Sequence, residues 1–330
     1  MNHISAASLL FALSSVAALP SFTGSAHASE PAPVLFRTFD PANGGGAESI
    51  TFDDAGNLYM SIGATVQRLT PAGTLSVFGT LPIAAFALGV KVGPDGCIYN
   101  ASTSLNPAVV GAFVWRICTP GDVEQFAALD PAGGPNDLAF DKHGNLFVTD
   151  PIAGKIWKVD EAGHAAVWLD HPLLKGNPAD PALLFSQQGV NGIAFDKDGN
   201  LFVGNLDYGR ILKIRVRHGG EAGAISVFAE SADLRGADGI AFDQRQELHV
   251  AVGAQDSLVS VDKHGVVDVE SSSSLLHGPS SVVFGTTSCD EQTLYIADLD
   301  FLRAFGFIDE PAQPNLLKLQ TNSKGLPLLQ

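Results

Sequence analysis

Asn191-Gly-Ile-Ala-Phe-Asp-Lys-Asp-Gly-Asn-Leu-Phe202 is one of six copies of a phrase that organises the whole chain. Close copies run from Glu48 (ESITFDDAGNLY) and Asn136 (NDLAFDKHGNLF), and an eroded one from Asp238 (DGIAFDQRQELH). Two weaker copies begin at Leu88 (LGVKVGPDGCIY) and Ser280 (SSVVFGTTSCDEQTLY). Aligned on their fifth position, the copies sit at Phe52, Val92, Phe140, Phe195, Phe242 and Phe284, at intervals of 40, 48, 55, 47 and 42 residues. Each phrase reads as strand, tight turn, strand. An apolar run precedes Asp-x-x-Gly-Asn, where Gly supplies positive φ and Asp bonds its own backbone. A second hairpin follows, as in Thr149–Val159 and Asn205–Ile214, and a fourth strand closes the unit at Leu75–Phe78, Val123–Phe126, Ala165–Trp168 and Ile225–Phe228.

Four short strands with tight turns fill roughly 40–45 residues. No amphipathic helical stretch of a dozen residues interrupts them. Six such units predict an all-β fold, a six-bladed β-propeller of four-stranded blades, because radial repetition leaves only short protected edges. A linear solenoid would need polar caps and a more uniform period. Val34-Leu-Phe-Arg-Thr-Phe39 resembles the fourth-strand phrases yet precedes the first copy, so it is expected to complete the last blade. The stretch Asn315–Leu319 competes for that place. The recurring Phe is read as packing between blades.

Composition narrows the function classes. The 330 residues carry 19 Lys and Arg against 35 Asp and Glu, a net charge of −16, and 35 Gly. With few cations and no basic run, a nucleic-acid partner is not expected. Residues 5–19 form an apolar run too short for a membrane span, and Ala26-His-Ala28 reads as a cleavage site. Residues 1–28 are therefore expected to be a signal peptide, and 29–330 a single propeller domain located in the periplasm or outside the cell. No membrane span is expected, and the chain is expected to act as a monomer on a small molecule. In an oxidising compartment Cys97 and Cys118, which superpose on facing strand positions of the third unit, are candidates for a disulfide, with two buried thiols as the other reading. Cys289 is left over.

The first strand of each blade lines a propeller's central tunnel, so residues at its start crowd one mouth. The six first-position residues are Glu48, Leu88, Asn136, Asn191, Asp238 and Ser280. Glu48, Asn136, Asn191 and Asp238 offer side-chain oxygens, two of them as carboxylates, which suits calcium or another hard divalent cation. Zinc would favour His or Cys, which are missing from these positions. Any one of these residues alone would be read as a strand-entry residue; four at one repeat position point to a metal site. Asp53, Asp141, Asp196 and Asp243, five residues later, are assigned to turns. His143 and His264 sit at turn tips and are read as solvated.

The series Glu48, Asn136-Asp, Asn191-Gly, Asp238-Gly resembles the gluconolactonase and regucalcin (senescence-marker-protein) family, with paraoxonase and diisopropylfluorophosphatase as more distant kin. The resemblance spans about residues 34–310. It implies a catalytic Ca²⁺ held by Glu48, Asn136, Asn191 and Asp238, and hydrolysis of a lactone, related ester or phosphotriester. Asp238 is then the catalytic residue, as general base on water or as nucleophile. Two further readings are a non-catalytic propeller that binds a ligand or protein around a structural ion, and a strictosidine-synthase-like activity. The family's sugar lactonases carry an Arg two residues before the third-blade Asn, where this chain has Gly134; Leu88 stands where paraoxonase has a His. His277 is read as a surface-loop residue. The apolar loops Thr103–Ala112 and His171–Gln188 are expected to frame the mouth and to suit a less polar lactone or ester.

Overall fold

A computed structural model describes residues 32–41, 45–82, 85–104, 111–182 and 187–327. The expected signal peptide, and the middles of both expected rim loops at 105–110 and 183–186, lie outside the described residues.

The strands form six antiparallel four-stranded sheets. Blade 1 comprises β2 (Ile50–Phe52), β3 (Leu58–Ile62), β4 (Thr65–Leu69) and β5 (Leu75–Thr80). Blade 2 holds β6 (Phe86–Val92), β7 (Ile98–Thr103), β8 (Ala112–Ile117) and β9 (Val123–Ala128). Blade 3 holds β10 (Leu138–Phe140), β11 (Leu146–Asp150), β12 (Lys155–Val159) and β13 (Ala165–Asp170). Blade 4 holds β14 (Val190–Phe195), β15 (Leu201–Asn205), β16 (Arg210–Val216) and β17 (Ala222–Glu230). Blade 5 holds β18 (Ala237–Phe242), β19 (Leu248–Val252), β20 (Ser257–Val261) and β21 (Val267–Ser271).

Blade 6 uses both ends of the chain. Its order is β22 (Pro279–Phe284), β23 (Thr293–Asp298), β24 (Asn315–Gln320) and then β1 (Val34–Thr38). The N-terminal strand thus completes the last blade, pairing Val34 with Lys318 and Thr38 with Asn315. The stretch that competed for its place is the third strand of the same blade. The one described α-helix, α1 (Phe301–Ala304), is a single turn in the β23–β24 connection. No described helix is long and apolar enough to cross a membrane.

The phrase Phe does pack between blades. The ring that closes each phrase on the second strand, twelfth in copies one to five (His249 in the fifth) and sixteenth in the sixth, packs toward the fifth-position residue of the next blade. Phe140 packs edge-on against Tyr99, Phe195 against Phe147 and Phe242 against Phe202, with ring centres 5.0, 5.4 and 5.0 Å apart. Phe52 closes the ring against Tyr295 at 4.7 Å. Tyr295 also meets Phe36 of β1 at 5.6 Å, and Lys318 Nζ lies over both of these rings at 3.7 Å (Phe36) and 4.8 Å (Tyr295). Aromatic pairs of this kind contribute about 0.5–1.5 kcal/mol beyond the area they bury.

The first-position residues project from irregular backbone. In blades 2, 4, 5 and 6 the register of the inner pair slips across the phrase's first residues, between Ala87 and Val90, Val190 and Ile193, Ala237 and Ile240, and Pro279 and Ser281. Such bulges unpair a residue and re-aim its side chain. Neighbouring inner strands also approach closely. A Cβ on Gly192 would lie 1.9 Å from the Asp238 carbonyl oxygen, and one on Gly89 2.4 Å from that of Asn136. Cys97 and Cys118 are joined by a disulfide across the β7–β8 hairpin, with Cα atoms 4.2 Å apart, and Cys289 is free and exposed.

If the Phe52–Tyr295 pair carries ring closure, Phe52→Ala should cost about 3–5 kcal/mol, the usual range for emptying a buried Phe site. Urea unfolding followed by tryptophan fluorescence measures this. A loss below about 1 kcal/mol would show that closure rests elsewhere.

Candidate functional site

Glu48 and Asn191 are buried at the tunnel mouth, at 5% and 3% exposure. Asn136 and Asp238 are half-buried. The Asn136 side chain pulls the Glu48 carboxyl down and the Asp238 charge pushes it up. Glu48 Oε2 and Asn191 Oδ1 have no hydrogen-bond partner despite being buried. Ser280, also buried, turns its hydroxyl to the Ala47 carbonyl at 3.2 Å, and Leu88 brings no donor.

A third carboxylate stands with these two. Asp137 is buried, accepts the Leu138 N–H at 2.9 Å and the Ile193 N–H at 3.3 Å, and pairs with Lys91 Nζ at 3.4 Å. It occupies the phrase's second position, where the other copies carry Ser or Gly. Lys91 occupies the fourth, where the others carry Thr, Ala or Val. Each is the single charged residue of its column, and that contrast was the available signal for both. Burial, then the charges of Asp238 and Asp137, hold the Glu48 carboxyl well above its usual range, against Lys91 and the Asn136 hydrogen bond. Burial and Asp137 raise Asp238 in the same direction.

Three carboxylates against one ammonium leave a formal surplus of two negative charges, in a place where charge is tolerated only when paired or bound to metal. The donor set of carboxylate and amide oxygens, two of them orphaned, fits a hard divalent cation. On the far side of Lys91 the tunnel widens into a cavity of about 550 Å³ lined by Phe140, Phe195, Phe242 and Phe284. Lys324–Pro327 lie along its outer wall.

The turn and loop histidines lie outside this cluster. His143 and His264 are exposed at turn tips, and His277 is half-buried, its N–H donating to Asp298 at 2.8–2.9 Å. A Cβ on Gly134 would lie 2.7 Å from Ile152 Cγ1, so the rim carries a half-exposed Ile where the family's Arg would stand. The described ends of the 171–188 loop are gathered by buried Asp207, which accepts the N–H groups of Asn177, Ala182 and Gln188 at 2.9, 2.9 and 2.6 Å.

Residues 47–299 match the family profile described as the SMP-30/gluconolactonase/LRE-like region. The chain belongs to this family. It includes lactonases and calcium-binding regucalcin. No curated protein matches the sequence. Among solved structures, a luciferin-regenerating enzyme superposes with a TM-score of 0.64 at 14% identity, covering 90% of this chain and 99% of its own. Regucalcin from Agrobacterium tumefaciens gives 0.60 at 17% identity, covering 90% and 98%. A virginiamycin B lyase from Staphylococcus aureus with quinupristin gives 0.60 at 14%, covering 88% and 99%. These likenesses show the same fold over 88–90% of this chain.

The rim makes a pH-dependent prediction. Burial, with Asp300 and Asp256 nearby, pushes Asp298 up to about 8 against the His277 N–H and Arg303. In the unfolded chain the same carboxyl ionises near its ordinary 3.8. Below that both states hold the proton; as pH rises to about 8 only the folded state still does, so folding loses stability across this window. Asp298→Asn should therefore gain on the wild type between pH 4 and pH 8 (about the two pKa values), read by melting temperature at stepped pH. A difference that stays flat across the window would contradict the assignment.

Proposed function

We propose that the chain is a calcium-dependent hydrolase of lactones or related esters, with its site at the tunnel mouth and its work done outside the cytoplasm. The observation that carries this reading is the pair of buried, unpartnered oxygens on Glu48 and Asn191 beside Asp238. Glu48, Asn136, Asn191 and Asp238 would hold the cation. Bound there, Ca²⁺ would polarise a lactone carbonyl and stabilise the oxyanion that forms on attack.

The chain's own groups supply the rest. Asp238, half-buried at the mouth where Glu48 is buried, is the carboxylate placed to meet substrate, and takes a proton from water or attacks the carbonyl itself. Lys91, 3.4 Å from Asp137, answers the charge of that carboxylate, which acts on Asp238. The Cys97–Cys118 disulfide favours an oxidising compartment, consistent with a periplasmic or extracellular setting.

Substrate class follows from the rim. Phe301 stacks on Phe305 with centres 4.4 Å apart and on Phe307 at 6.1 Å, while Phe305 meets Phe86 at 6.0 Å. Phe86 opens the inner strand β6, two residues before Leu88. The segment is pinned by buried Asp300, which accepts the Gln313 N–H at 2.7 Å and pairs with Arg303 at 3.0 Å. Phe305 and Phe307 are 43% and 41% exposed. An aromatic rim with Gly134 at the family's Arg position favours an apolar acyl chain over a sugar acid.

The test is turnover of a lactone and ester panel, from sugar lactones to long-chain lactones, in calcium and in chelator. Cleavage should require calcium, and Asp238→Asn should lower kcat by about 100-fold or more. A wild type that binds calcium and melts higher but cleaves nothing would overturn the enzyme reading in favour of a structural ion. In the same assay, Phe305→Ala with Phe307→Ala should raise KM for long-chain lactones about tenfold while leaving short ones unchanged. An equal effect on both would remove the rim from substrate recognition.

A further inference from the structure

The fifth copy of the phrase departs from the others at positions that meet in space. In copies one, three and four the turn Asp is satisfied by the Asn four residues on: Asn57, Asn145 and Asn200 each donate Nδ2 to Asp53, Asp141 and Asp196 at 2.8 Å. In copies one, two and six a Tyr hydroxyl also donates to the acid, Tyr59 to Asp53, Tyr99 to Asp95 and Tyr295 to Asp290, at 3.3, 3.0 and 3.0 Å. In the fifth copy the acid is Asp243, the Asn is replaced by Glu247 and the aromatic by His249. Even the turn Gly is replaced, by Gln246, which holds a φ of 68°. That conformation costs a non-Gly residue roughly 1–2 kcal/mol.

Both customary donors to the turn carboxylate have thus become a second carboxylate and an imidazole. One ring nitrogen of His249 and one oxygen each of Asp243 and Glu247 lie within 4.8 Å of one another. Asp243 is fully buried and His249 is 3% exposed. Nδ1 of His249 is engaged at 2.8 Å by Glu270 Oε2, whereas Nε2 is buried without any hydrogen-bond partner. Asp243 keeps the Glu247 N–H at 2.8 Å and Arg245 Nε at 3.3 Å, the latter from a largely exposed side chain.

None of the three proton arrangements of the ring satisfies this pocket. An imidazolium would bury an unbonded Nε2–H. A neutral ring that donates Nδ1–H to Glu270 leaves the Nε2 lone pair buried without a donor, and one protonated at Nε2 leaves that N–H unbonded and sets the Nδ1 lone pair against the Glu270 carboxylate. A cation between the three groups satisfies all of them. We propose that Asp243, Glu247 and His249 form a second metal site, for a divalent ion of the zinc class. One imidazole and two carboxylates suit zinc and its first-row neighbours, whereas calcium would leave the imidazole unused. Glu270 then stands behind the ring, where a carboxylate fixes the tautomer and raises the basicity of the ligating nitrogen. The site lies beyond the opposite end of β18 from Asp238, five residues or roughly 16 Å along the strand, and is separate from the tunnel mouth. It sits in the turn that holds the C-terminal segment, where the Gln244 N–H donates to Lys324 O and the Leu326 N–H to Phe242 O, both at 2.8 Å.

The full chain, stripped with chelator and saturated with calcium, would be titrated with Zn²⁺ by calorimetry and with Co²⁺ by visible absorption. One zinc per chain is expected. His249→Tyr and Glu247→Asn restore the residues of the other copies and so should fold, yet each should weaken zinc binding by more than about 100-fold; Glu270→Gln should weaken it about 10–100-fold. Zinc should raise the melting temperature of the wild type and leave that of His249→Tyr unmoved. A wild type that binds no zinc, or variants that bind it as tightly as the wild type, would overturn the site. Should His249→Tyr fail to fold, Glu247→Asn decides by the same criterion.

Discussion

Everything at the tunnel mouth depends on edge-to-face aromatic contact between successive blades. Each inner strand ends in an aromatic or aliphatic anchor that seats on the second strand of the blade before it. The last such contact, Phe52 on Tyr295, joins the two ends of the chain, because Tyr295 also bears Phe36 and Lys318. Once the ring is closed, the inner strands have no freedom to splay. The close passage at Gly89 and Gly192, where no Cβ would fit, is the local expression of that constraint. Six first-position side chains must then converge, whatever their chemistry.

Convergence has an electrostatic cost that the fold does not relieve by itself. Glu48, Asp137 and Asp238 are brought together where desolvation raises the carboxyls of Glu48 and Asp238, and Lys91 answers only part of the negative charge. Apolar residues of the same size in place of buried ionic groups are often as stable or more so. Retaining three carboxylates, one cation and two unpartnered oxygens lowers stability at the place where a ligand could restore it. Departures from locally favourable chemistry of this kind concentrate at functional sites.

The fold was legible because the phrase encodes it redundantly. Periodicity of anchor, turn Asp and turn Gly recurs six times, so erosion of one copy does not hide the blade. The third strand of blade 6 was harder to place, since residues 299–314 separate it from β23 and break the hairpin spacing that identified the other blades. Four mouth residues could be picked out as a column of oxygen donors. Asp137 and Lys91 could not be found that way, because each is a lone charge in a column of small or apolar residues. Only the tunnel geometry shows that the two outliers answer each other. The Phe301–Phe307 rim lay outside the repeat altogether, in the connection where no periodic expectation applied.

A repeat protein carries its own controls, and blade 5 shows how far that can be used. Where three copies agree on a donor, the structure shows what that donor does: Asn and Tyr quiet a turn carboxylate. A copy that replaces both donors with acceptors at once, and accepts a positive φ at Gln246 as well, is not explained by drift in a surface turn. Drift would more readily leave a polar side chain in water than bury His249 at 3% exposure with one nitrogen unpartnered. The same strand, β18, then bears an acidic mouth residue at its start and an electron-rich turn at its end. Blade 5 is therefore the blade in which the repeat was kept for its shape while both ends were given different chemistry.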